Sequence, residues 1–159
     1  MNFRALRIYE ENGTFIRKIV ERNINELPEG EVLIKVKYSS LNYKDALSCI
    51  GNRGVTREYP HTPGIDAAGI VEDSNVPDFI KGEEVFITGY DLGMNTDGGF
   101  GEYIRVPANW VVKKPVNLSL KEAMIYGTAG FTSALSVFEL IKEVVPEDGD
   151  ILVIGAGGG

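Results

Sequence analysis

The sequence predicts a mainly β domain with helices: a barrel or sandwich of short strands, followed from Ser119 by the opening of an α/β unit. Three observations carry this prediction. Apolar runs of strand length recur between residues 3 and 113 with turn residues between them. A helix start signal appears at Ser119, and the apolar run 151–154 then feeds a glycine-rich segment.

Residues 3–9 and 14–20 form the first pair of strands, and the Asn12-Gly13 dipeptide between them marks a hairpin. A turn at 26–30 leads into a third strand, in which Val32, Ile34, Val36 and Tyr38 share one face and Lys35 and Lys37 the other. Residues 39–47, Ser-Ser-Leu-Asn-Tyr-Lys-Asp-Ala-Leu, come next. Asn42 is placed to cap a short helix over 43–50, with Asp45 at the third helical position and Gly51 just past the end. Residues 51–63 show neither period and are dotted with Gly and Pro, which predicts a surface loop with His61 in a rigid turn. The run 63–71 reads as a strand buried on both faces. A turn over 73–78 precedes another strand at 82–88. The segment 89–101, with five glycines and no periodicity, predicts a long loop that is functional or mobile. Strands over 102–106 and 110–113 flank Pro107.

At Ser119 the pattern changes. Ser119-Leu-Lys-Glu122 is a capping box opening a short helix over 120–126. A Gly127-Thr-Ala-Gly130 break separates it from a longer helix beginning at Phe131, with Val137, Leu140, Ile141 and Val144 on one face. Residues 146–149 end that helix. The run 151–154 predicts a buried strand that opens into Gly155-Ala-Gly-Gly-Gly159, as at the start of a dinucleotide fold, where backbone N–H groups bind pyrophosphate. A flexible tail is the alternative reading of those residues.

With 159 residues the chain can bury a full core, and its net charge of −7 argues against nucleic acid or an anionic membrane as partner. No apolar run reaches the roughly 18 residues of a membrane span, so the expectation is a soluble, cytoplasmic protein. One cysteine, Cys49, rules out an intrachain disulfide. With one histidine beside it, a zinc site cannot be assembled from His and Cys alone. Cys49 itself reads as a small buried apolar residue.

Two stretches carry candidate chemistry. The polar cluster of 39–47 sits at a strand end and a helix start, which suits either plain capping or a ligand site built on rigid elements. Asp66 is the misfit of an apolar strand, so it is either paired structurally or part of an active site. Arg53 and Arg57 read as solvated charges or as partners of a phosphate-bearing ligand.

Together, residues 39–47, Pro63-Gly-Ile-Asp-Ala-Ala-Gly69, Gly127-Thr-Ala-Gly-Phe-Thr132 and Gly155-Ala-Gly-Gly-Gly159 resemble the medium-chain dehydrogenase/reductase superfamily. The nearest resemblance is to its zinc-free quinone oxidoreductases, specifically the NADPH-dependent acrylyl-CoA reductase group. It implies a GroES-like, partly open β-barrel as a catalytic domain over 1–118. Residues 119–159 would then supply the first helices, strand and glycine turn of a truncated Rossmann domain. Zinc-dependent relatives carry a cysteine where Asn42 stands and a Gly-His-Glu at Gly64-Ile65-Asp66, so no metal is expected.

The implied reaction is hydride transfer from NADPH to the β-carbon of an acryloyl-CoA-like enoyl thioester, with a quinone as the alternative acceptor. Catalytic roles fall by resemblance on Asn42, offering a hydrogen bond near the reacting carbonyl, on Tyr43, and on Asp66, orienting the polar cluster. Cofactor contacts fall on Tyr43, Thr128, Thr132, Gly155, Ala156, Gly157, Gly158 and Gly159. The proton donor is either Tyr43 or solvent. Family members continue for roughly as long again, so the 159 residues alone are expected to be inactive and to bind NADPH weakly. The full-length protein is expected to be a homodimer, and this chain to self-associate through exposed apolar surface. A rival reading is a GroES-like binding or structural module without redox chemistry, which would have no need of a converging polar cluster.

Overall fold

The computed structural model describes residues 1–155; the glycine-turn positions Ala156, Gly157, Gly158 and Gly159 lie outside the described residues. The chain opens as an antiparallel hairpin of β1 (Asn2–Glu11) and β2 (Thr14–Asn23). Asn12 and Gly13 turn it with φ of 51° and 78°, the left-handed pair that a two-residue hairpin requires.

β3 (Val32–Tyr38), β4 (Asp66–Ser74), β5 (Glu84–Thr88), β6 (Tyr103–Val106) and β7 (Val112–Lys113) form one antiparallel sheet in the order β6-β3-β4-β5-β7. The hairpin closes onto it through Leu6 N–H to Phe100 O at 2.9 Å, Ile8 N–H to His61 O at 2.8 Å and Glu102 N–H to Arg4 O at 2.9 Å. Val32, Ile34, Val71, Val85, Ile87, Ile104 and Val106 fill the main core, and Phe3, Ala5, Leu27, Leu33 and Tyr103 a second one beneath the hairpin. β3 is therefore buried on both faces at its start, because the hairpin covers the side that alternation assigns to solvent. A register shift between Val36 and Tyr38 ends the alternation, and Tyr38 is 45% exposed.

α1 (Tyr43–Cys49) follows β3, and α2 (Leu120–Leu140) follows β7. Ser119 and Glu122 make the reciprocal capping box, with Glu122 N–H to Ser119 Oγ at 3.2 Å and Ser119 N–H to Glu122 Oε2 at 2.8 Å. Leu120, Ala123 and Met124 then pack against Ala68. The expected four-residue break narrows to one residue: Gly127 (φ 50°, ψ −155°) kinks a helix that resumes at once.

Three expectations need correction. The 51–63 segment is only partly a surface loop, since Val55, Thr56, His61 and Thr62 are buried. The 89–101 segment is packed rather than free. Its Asp97 accepts from Arg7 Nη1 at 2.5 Å, Arg22 Nη1 at 2.6 Å and Thr62 N–H at 3.1 Å, while Gly98 and Gly99 bond the backbone of Thr62 and Gly64. Finally, 151–154 is neither a strand nor buried. A strand must exchange backbone hydrogen bonds with a neighbour, and among the described residues none pairs with it. No described helix is long and apolar enough to cross a membrane.

Candidate functional site

Asp66 opens β4 fully buried, and four bonds converge on its carboxylate. Oδ2 accepts from Ser40 Oγ at 2.5 Å, from Asn42 Nδ2 at 2.9 Å and from Thr128 N–H at 2.9 Å; Oδ1 accepts from Thr128 Oγ1 at 2.6 Å. The donors come from the end of β3, the start of α1 and the residue after the α2 kink. A buried carboxylate is tolerated when its lone pairs are filled in this way. Of the two readings open from sequence, structural pairing is met in full by these bonds.

Asn42 precedes α1 in extended conformation (φ −124°, ψ 156°), but its side chain makes no cap hydrogen bond. The amide turns to Asp66 and, at 3.3 Å, to Ser40 Oγ. The helix start is secured from Asp45 instead, whose carboxylate accepts Asn42 N–H at 2.8 Å and Ile65 N–H at 2.9 Å. Burial pushes the Asp45 carboxyl above its usual range, against the backbone bonds that pull it down. The expectation that Asn42 donates toward a reacting carbonyl therefore meets a constraint. Both hydrogens of its amide are directed inward, and its carbonyl oxygen is the group left to offer.

Next to this cluster lies a cavity of about 720 Å³ lined by Asn42, Tyr43, Thr128, Thr132, Lys44 and Ser133, with Ile65, Ala129, Val153 and Gly155 completing it. That volume lies within the range of about 300–1,000 Å³ usual for small-molecule pockets. Tyr43 is 72% exposed and lines the cavity. The Thr132 hydroxyl donates back to Thr128 O at 2.9 Å, so it faces a ligand as an acceptor. The structure thus brings Asn42, Tyr43, Asp66, Thr128, Thr132 and Gly155 to one place.

Two participants escaped sequence reasoning. Ser40 had no signal beyond lying in a polar pair at a strand end. Lys44 lay inside the motif and is the one charged side chain lining the cavity, with no ion pair among the described residues.

The other candidates stand apart. Arg53 is held by Glu10 at 2.5 Å and Arg57 O, beside the rings of Phe15 and Tyr59, which leaves its charge committed. Cys49 is half-buried, and burial raises its thiol pKa, so it is a poorer nucleophile than a free cysteine. His61 donates from Nε2 to Gly93 O at 2.9 Å, and burial depresses its basicity. Among the described residues no three His, Cys, Asp or Glu side chains are grouped to hold a metal ion.

Residues 28–116 match the alcohol dehydrogenase GroES-like domain. Over 159 residues the chain is 56% identical to a Bacillus subtilis protein named putative quinone oxidoreductase YhfP, covering 99% of this chain and 48% of that protein. A crystal structure of B. subtilis yhfP with NAD bound superposes with a TM-score of 0.90 at 48% identity, covering 94% and 46% of the two chains. The probable acrylyl-CoA reductase AcuI of Escherichia coli is 44% identical over 156 residues, 98% of this chain and 48% of that one. The yhdH oxidoreductase of Salmonella enterica, solved in complex with NADP, superposes with a TM-score of 0.89 at 42% identity, covering 94% and 46%. The chain spans about half the length of the curated relatives it matches.

Proposed function

The chain belongs to the alcohol dehydrogenase GroES-like domain family of the medium-chain dehydrogenases/reductases, and from that premise we propose that it forms the catalytic domain and the start of the cofactor domain of an NADPH-dependent oxidoreductase. The activity, reduction of an activated C=C bond in an acryloyl-CoA-like thioester, is assigned to the polypeptide at the length of those relatives. The observation that carries this reading is the Asp66 cluster, which ties the α1 wall of the cavity to its α2 wall through one buried carboxylate.

The cavity fits a nicotinamide ring with its carboxamide. Its polar lining is made of amide and hydroxyl groups and the ammonium of Lys44, and among the described residues no lining carboxylate would repel a phosphate-bearing ligand. Tyr43, Thr128 and Thr132 would hold the ring, with Gly155 and the residues after it toward the pyrophosphate. When bound, the nicotinamide supplies a hydride to the β-carbon of the substrate.

The chain's own residues then have three tasks. Asn42, fixed by Asp66, presents its amide oxygen as an acceptor to an N–H of whatever sits beside it. Tyr43, whose hydroxyl has no partner among the described residues, and Lys44 are the free donors for the enolate oxygen that develops as the C=C bond is reduced. The α-carbon takes its proton from Tyr43 or from water, which the exposure of Tyr43 admits.

A quinone is the second reading for the acceptor. Among the described residues Lys44 is the only cation lining the cavity, in a chain of net charge −7, which is sparse provision for the phosphates of a CoA ester.

Titrating the protein with NADPH while following amide resonances tests the cofactor site. Asn42, Tyr43, Thr128 and Thr132 are expected to shift even if binding is weak. No perturbation there at millimolar nucleotide would sink the assignment. NADPH oxidation by the full-length protein with acryloyl-CoA, crotonyl-CoA and a quinone would separate the acceptors.

A further inference from the structure

Ser40 lies between the two walls of the cavity without lining it. Its hydroxyl donates to Asp66 Oδ2 at 2.5 Å and accepts from Asn42 Nδ2 at 3.3 Å. On its other side is Gly127. A Cβ on Gly127 would lie 2.8 Å from Ser40 Oγ, 3.3 Å from Ser40 Cβ and 2.7 Å from Asp66 Oδ2, so the bare Cα is what lets the hydroxyl and the carboxylate close against the kink. The kink in turn aims the first free N–H of the second helical segment, that of Thr128, at the same Oδ2. Three donors share that one oxygen, so moving any of them re-aims the others.

We infer that Ser40 and Gly127 are positioning residues. Acting through the Asp66 carboxylate, they set the spacing and orientation of Asn42 on one wall of the cavity relative to Thr128 and the helix it begins on the other. Neither touches the ligand. The inference rests on reading this cavity as the reaction site, but its geometry stands without a ligand, so the two can fail separately.

The mechanism is geometric. Without the Ser40 hydroxyl, Asp66 Oδ2 keeps two donors, Asn42 keeps one of its two amide bonds, and the carboxylate is free to rotate toward Thr128. Asn42 then loses the orientation that fixes its outward oxygen. The fold is otherwise spared, because Ser40 packs into none of the three apolar clusters.

The test reads both walls by NMR in the protein without ligand. In Ser40→Ala, the Asn42 side-chain NH2 pair is expected to lose its separate, protected signal, and the Thr128 amide to exchange about tenfold faster. Amides of the sheet core such as Val85 and Ile104 should exchange as before. Thr128→Val, made from the opposite wall, is expected to shift the same Asn42 pair, which a merely local role for Thr128 would not do. Ser39→Ala removes a hydroxyl that bonds the Asp66 backbone oxygen at 2.6 Å and should leave the Asn42 pair in place.

An Asn42 pair indifferent to both Ser40→Ala and Thr128→Val would overturn the inference. So would equal acceleration of core and Thr128 exchange in the two variants, which would make the role one of general stability. A protein that binds no nucleotide yet shows the reciprocal shifts would keep this inference and lose the proposed function.

Discussion

Asp45 and Asp66 grip the same residue from two sides: Asp45 accepts the backbone N–H of Asn42 at 2.8 Å, and Asp66 accepts its side-chain amide at 2.9 Å. Both carboxylates are buried, at 2% and 0% exposure. Burial raises the Asp45 pKa, and the nearby charge of Asp66 adds to the rise. Two acids in one dry region are costly, and the bonds they accept offset that cost only while every donor stays in place. What results is an asparagine fixed at main chain and side chain alike, a degree of order that capping a seven-residue helix does not call for.

Gly127→Ala is expected to destabilise the protein by about 2–4 kcal/mol. The left-handed φ of 50° disfavours any Cβ, and this one would press on Asp66 Oδ2 and Ser40 Oγ. Urea unfolding checks it; a loss below about 0.5 kcal/mol would mean that the kink relaxes freely.

His61 should make the fold acid-sensitive. Burial lowers its pKa beneath 6.5 in the folded protein. Below pH 6.5 the unfolded chain takes up a proton that the folded one refuses. The contribution of His61 to stability is therefore fully present above pH 6.5 and falls as pH drops toward the lowered pKa. His61→Gln should flatten the denaturation profile in that window. Parallel profiles for the two proteins would remove His61 from the account.

The outer half of α2 should drive self-association. Phe131, Val137, Phe138 and Ile141 are each more than half exposed, as are Ile151, Leu152, Val153 and Ile154. So many exposed large apolar side chains are rarely left uncovered. Light scattering at micromolar concentration is expected to show dimers or larger species, and Phe138→Glu to reduce them. A monodisperse wild-type monomer is the opposing result.

Elements whose signal is local were legible in the sequence. Asn12-Gly13 names its own turn, Ser119 and Glu122 their own cap, and Asp66 is conspicuous because its neighbours are apolar. What depends on distant partners was not. Asp97 lies in a segment whose composition signals only a glycine-rich loop, and its two arginines lie 75 and 90 positions away. The 151–154 run has the composition of a buried strand, but composition cannot supply the neighbour that would pair with it. The position of Asn42 at a helix start is also a local signal. Its side chain turns from the cap to donate to Asp66, while Asp45 accepts the backbone N–H of Asn42.

The kink at Gly127 also bears on the order of folding. A helix normally finds its start signal within a few residues, but the segment after Gly127 takes its first amide bond and its first hydroxyl bond from a carboxylate 62 positions earlier. Asp66 is in place only once β4 has joined the sheet, so this helical segment has no cap until the β domain exists to provide one. The cap therefore forms only when the intervening loop has closed, and the same bonds that complete it fix the two walls of the cavity to one another.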